Sequence, residues 1–103
     1  MIVSELIRGE IRGRFAERDA DDAMRLFETT SLPFLDLPDP SVAQHLERDR
    51  VHLAVLKLSA GNVMELARAL DVASKDWRDT LVGAGMGHEN WPDILREAGF
   101  PVP

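Results

Sequence analysis

The chain has no cysteine. That absence excludes a disulfide scaffold, a thiol nucleophile and any zinc site built on thiolates, and it fits a reducing compartment. Long hydrophobic runs are missing as well: no apolar stretch approaches the roughly 20 residues that a bilayer-spanning helix needs. The opening MIVSELIRGE holds Glu5, Arg8 and Glu10, so it is not a signal peptide, and the expected location is cytoplasmic, with no membrane contact. No segment sustains the period-two alternation of a strand, and there is neither an internal repeat nor a low-complexity tract. A glycine-rich phosphate loop is also lacking. GAGMG at 83–87 follows a helical pattern and does not join a strand to a helix, so it reads as a C-cap and turn.

What is present is an ordinary globular balance over 103 residues: 45% apolar and 29% charged, enough for one domain with one core. The formal charge of −6 is uneven, because residues 19–49 hold eight acids against Arg25 and Arg48. An acidic middle favours solubility and disfavours polyanionic partners. Val3, Ile7, Ile11 and Phe15 recur every four residues and define the apolar stripe of a first helix. The acids of RDADD supply an N-cap for a short second helix carrying Ala23, Met24, Leu26 and Phe27. In TTSLPFLDLPDP, Pro33, Pro38 and Pro40 cannot sit in helix interiors, yet the segment is too apolar for a free linker. An ordered loop over the core is expected for 31–39, between helices in 1–30 and a helical core in 40–103.

Asp39 and Pro40 read as N-cap and first residue of the longest helix, running to about Ser59 and most buried through VHLAVLKL. Asn62 and Glu65 have the spacing of a capping box, and the helix they open is expected to end at Leu70 with a break at DVA. Ser74 would cap the next helix, which runs into Gly83, Gly85 and Gly87. Asn90 opens a last helix with Pro92 in its first turn, closed by Gly99 and by Phe100 against Leu95. The expected fold is an all-α, single-domain orthogonal bundle of five to six short helices.

Residues 62–86 have the cadence of a helix-turn-helix, with Leu66, Ala67, Leu70, Val72 and Trp77 spaced for two helices packed at a steep angle. As a DNA reader the segment is poorly equipped. Asp71 stands at the usual turn glycine, Thr80 at a usual apolar position, and Lys75 and Arg78 are cancelled by Asp76 and Asp79. A strong binder neutralises on the order of 6–10 phosphates. Core building is the primary reading and DNA binding the alternative; Trp77, sharing a face with Leu81, is expected to be a core anchor.

His45, Asp49 and His52 share one helical sector. Metal sites in bundles draw several further acids from neighbouring helices, so the expectation is no metal, with His52 bonded to Asp49 instead. Ser41, Ser59 and Ser74 fall at caps or turns, and His88 and Glu89 precede a helix as a solvated turn. No catalytic residue, cofactor or enzyme activity is therefore expected. Two features lean toward protein contact. Gly9 and Gly13 lie beside Ile2 and Leu6 on the first helix, where a second copy crossing closely would form a homodimer. Trp77 and Arg78 form a candidate hot spot between two acids.

RVHLAVLKLSAGN followed by DWRDTLVGAG, over roughly residues 50–85, resembles a group of small bacterial helical proteins. In them an Arg-x-His-x-Ala-x-Leu-Lys-Leu-Ser-x-Gly helix end precedes an Asp-aromatic-Arg-Asp helix. Arg50, His52, Lys57, Gly61, Asp76, Arg78 and Asp79 carry the likeness. Trp77 stands where that group more often has Tyr, and the glycine-rich exit departs from its pattern. The resemblance implies a helical protein and brings no activity with it. The functional expectation is a non-enzymatic protein-interaction module.

Overall fold

Val3, Ile7, Ile11 and Phe15 all turn inward, and they set the first helix against the rest of the molecule. The computed structural model describes residues 3–32 and 42–103, the side chains of 42–46 excepted. The described residues form six α-helices and no strand. α1 (Glu5–Arg14) starts on Ser4, whose Oγ accepts the Ile7 N–H at 3.3 Å, and it ends at Phe15 in an extended conformation. After this corner α2 (Glu17–Thr29) begins earlier than the sequence indicates. Ala16 occupies the N-cap without a side-chain bond, and its carbonyl accepts the N–H groups of Asp19 and Ala20. The RDADD acids thus lie inside the helix, where they complement the positive end of its dipole instead of capping it. Ala23 and Phe27 form the buried edge of α2, with Met24 and Leu26 half-buried beside them.

α3 (Val42–Ser59) is the longest helix, and Val51 through Leu56 are buried without exception. A helix apolar all round belongs in the middle of a bundle, and α3 contacts α1, α4 and α5. The cap at Asp39–Pro40 and most of the loop expected over 31–39 lie outside the described residues; Leu32, at its start, is buried. Past Ser59 the chain reverses through Ala60 (φ 49°) and Gly61 (φ 77°). A Cβ at Gly61 would stand 3.0 Å from the Arg14 carbonyl oxygen, so this turn needs glycine both for its left-handed backbone and for the approach of α1.

α4 (Val63–Lys75) opens on Asn62, whose Oδ1 accepts the Glu65 N–H at 3.0 Å. Only half of the capping box forms: the Asn62 N–H bonds the Ser59 carbonyl, and Glu65 pairs with Arg68. α4 does not stop at Leu70. Asp71, Val72 and Ala73 continue it because Leu66, Ala69, Leu70 and Ala73 extend one buried face. Ser74 caps nothing, as its Oγ donates back to the Asp71 carbonyl in the last turn. α5 (Trp77–Gly83) and α6 (Trp91–Glu97) complete the bundle. α6 ends as its sequence indicates: Gly99 is left-handed (φ 80°), its N–H bonds the Arg96 carbonyl and the Phe100 N–H bonds that of Leu95.

Candidate functional site

A single residue separates α4 from α5. Asp76 donates its N–H to the Val72 carbonyl, ending α4, while its Oδ1 accepts the Asp79 N–H at 3.2 Å and starts α5. Gly85 (φ 75°) then closes α5 by the same device as the C-terminal helix, with the Met86 N–H on the Leu81 carbonyl at 2.8 Å. Two cations of α3 fasten this exit from below. Lys57 Nζ donates to the Ala84 carbonyl at 2.9 Å, and Arg50 Nη2 donates to that of Met86 at 2.5 Å. Arg50 also pairs with Glu47 and lies 5.2 Å from the Trp91 ring centroid. Within the motif that carries the likeness to other helical proteins, Arg50, Lys57 and Gly61 therefore do structural work on turns.

So held, α4 and α5 leave an open groove of about 250 Å³. Leu58 of α3, Ala69 and Val72 of α4, and Thr80 and Gly83 of α5 line it, with Glu65, Arg68 and Asp79 at its charged margin. Leu58 and Val72 remain 39% and 38% exposed, and Val82, next along α5, is 68% exposed. Glu65 and Arg68 are paired with each other at 3.2 Å. Asp79 is not: its N–H is used in the cap, and its carboxylate has no ion-pair partner among the described residues. Arg78 is likewise outside every ion pair, its guanidinium 5.2 Å from the centroid of the neighbouring Trp77 ring.

Trp77 is half-buried, packed along the edge of the core, so it is not the enclosed anchor expected from its register with Leu81. A seven-residue helix brings only Thr80 and Leu81 fully inside, and its first turn stays near the surface. Trp77 and Arg78 line a shallow depression of about 390 Å³ with Lys75 and Asp76. Lys75 is tied to Asp71 at 3.0 Å, and Arg78 and Asp79 are exposed. On α1, Leu6 is half-buried against the core, while Gly9 and Gly13 are exposed with nothing within 4 Å of a Cβ built on either. Ile2 lies outside the described residues.

The His52–Asp49 hydrogen bond does not form. His52 is wholly buried in the middle of α3, both ring nitrogens lack a partner, and the ring meets Phe27 edge-on with centroids 5.0 Å apart. Asp49 is half-buried on the same helix. Burial, reinforced by the nearby Arg48 cation, lowers the imidazole pKa to about 3. His45 is among the residues whose side chains are not described. Among the described residues, no three of His, Cys, Asp and Glu converge as a metal site. No described helix is long and apolar enough to cross a membrane. His88, Glu89 and Asn90 are exposed in the turn before α6, where Asn90 holds the N-cap position without a side-chain bond.

The groove residues Leu58, Val72, Asp79 and Val82 are not singled out by the sequence. Leu58 ends a run that reads as core, Val72 reads as a turn residue, and nothing local reveals that α4 and α5 diverge over them. No family model, no curated protein and no solved structure matches this chain.

Proposed function

We propose that the protein works by binding another polypeptide and performs no catalysis itself, with the α4–α5 groove as its contact surface. One observation carries the reading: Leu58 and Val72, from two different helices, stay exposed in a concave apolar groove. Apolar side chains gathered in a concavity are what a partner's anchor residue fills, whereas singly scattered ones carry no such meaning. At about 250 Å³ the groove is smaller than the 300–1,000 Å³ typical of small-molecule sites, a size that suits side chains. The helix-turn-helix alternative has weaker support. The seven-residue α5 has Asp76 as its cap and Asp79 in its first turn, the end that would approach a phosphate. Lys75, beside it, is already paired. Contact across α1 at Gly9 and Gly13 is the competing protein surface, and it offers bare backbone with little apolar side chain.

A photoreactive aromatic amino acid in place of Val72, irradiated in the expressing cell, tests this. Discrete polypeptide adducts are expected from position 72, and none from the same group at the exposed Asp21 of α2. A position-72 probe that yields no polypeptide adduct, or one to nucleic acid, would overturn the proposal.

A further inference from the structure

The geometry points to a second copy of this chain as the occupant of the groove. The two copies are related by a two-fold axis, with Arg78 of each against Asp79 of the other and each Val82 over the other's Val72 and Leu58. This rests on the reading of the groove as a protein-contact surface and names the partner.

The solvent side of α5 is two adjoining rows at helical spacing, Arg78 with Val82 and Asp79 with Gly83. Asp79 and Gly83 form one wall of the groove, so a helix laid over it meets Arg78 and Val82 next. A Cβ at Gly83 would have nothing within 4 Å, which leaves backbone open to close approach. The charges then decide the partner. Elsewhere on α4 and α6, Arg68, Lys75 and Arg96 are each spent on an acid of their own helix, with Glu65, Asp71 and Asp93. Arg78 and Asp79 are one cation and one anion side by side, outside every ion pair. In an isologous contact residue i meets j and j meets i. This patch is therefore its own complement: inverted on itself, it makes two opposite-charge pairs.

Copies carrying a net charge of −6 repel one another at long range. A self-contact consequently needs a locally neutral surface, and the α5 face is one. The apolar part is equally self-matching. Val82, 68% exposed, is the projecting side chain, and the floor of Leu58 and Val72 receives it.

Sedimentation equilibrium on the full chain provides the test. The wild type should dimerise with a Kd on the order of 1–100 µM, as suits a contact at the small end of stable interfaces. Arg78→Asp and Asp79→Arg each place like charges together twice, and each should raise Kd about a hundredfold. Mixed in equal amounts, the two variants should form a heterodimer near wild-type affinity, because both pairs then become opposite in sign. That rescue also shows that both variants are folded. A wild type still monomeric at about 300 µM would overturn the inference, and a heterologous adduct from position 72 would then keep the broader reading alone. Self-association unchanged in both variants, or abolished by Gly13→Leu only, would place the contact on α1 and equally overturn it.

Discussion

Lowering the pH from about 7.5 to about 4.5 is expected to remove about 3 kcal/mol of stability through one side chain, His52. In the unfolded chain its imidazole titrates near 6.5; in the folded protein, burial and the Arg48 cation hold it at about 3. Between those values the unfolded state binds a proton that the folded state refuses. The folded state therefore keeps its full advantage above pH 6.5, loses about 1.4 kcal/mol per pH unit below it, and stops losing near pH 3. Other groups titrate in the same range, so the measurement is a difference. Urea unfolding of wild type and His52→Leu is compared at both pH values. Leucine is close to histidine in size, apolar, and needs no partner for the two orphaned ring nitrogens. The variant should be at least as stable as wild type at the higher pH and lose about 3 kcal/mol less on acidification. Equal losses in the two proteins would show that His52 is not the acid-sensitive group.

The helical fold is legible in the sequence wherever the deciding signals are local. The Val3–Phe15 stripe, the Asn62 cap and the glycine closure at Gly99 each depend on residues within about one or two turns, and each stands where it is read. The errors fall where distant packing decides. Ser74 is as good a cap residue as Asp76, and the choice goes to Asp76 because continuing α4 buries Ala73 beside Leu70. α2 starts on Ala16, a poor cap, because Phe15 must turn inward to finish the α1 stripe and the next helix follows at once. His52 lies one turn from Asp49 on the helix, yet the rotation of α3 that faces it toward Phe27 is set by the bundle. The groove is harder still. In composition, Leu58, Val72 and Val82 are indistinguishable from core residues, and only the divergence of α4 from α5 leaves them in water.

Phe27→Ala should be the most damaging of the substitutions considered, at about 3–5 kcal/mol, a large part of the roughly 5–15 kcal/mol that holds a domain folded. α2 buries two side chains completely, Ala23 and Phe27, and Phe27 is much the larger. Its ring is wholly enclosed and stands at 84° to the His52 imidazole, so it fastens α2 to the central helix. Truncation leaves a void between two helices that are pinned elsewhere, α2 through α1 and α4 and α3 through α1, α4 and α5. The void can collapse only in part, which places the cost in the upper part of the range. Its wall would include the unpartnered nitrogens of His52, and a polar-edged space of that size admits water. Hydration would relieve the burial that depresses the imidazole pKa, moving it from about 3 back toward 6.5. Phe27→Ala should consequently be less stable at neutral pH and less sensitive to acid, a pairing that simple loss of packing does not produce. Urea unfolding gives the first effect, and an NMR titration of the His52 Cε1–H signal gives the second. A loss under about 1 kcal/mol would mean that α2 is held by its half-buried residues instead. A full loss with the titration unmoved would mean that the space stays dry and His52 stays orphaned.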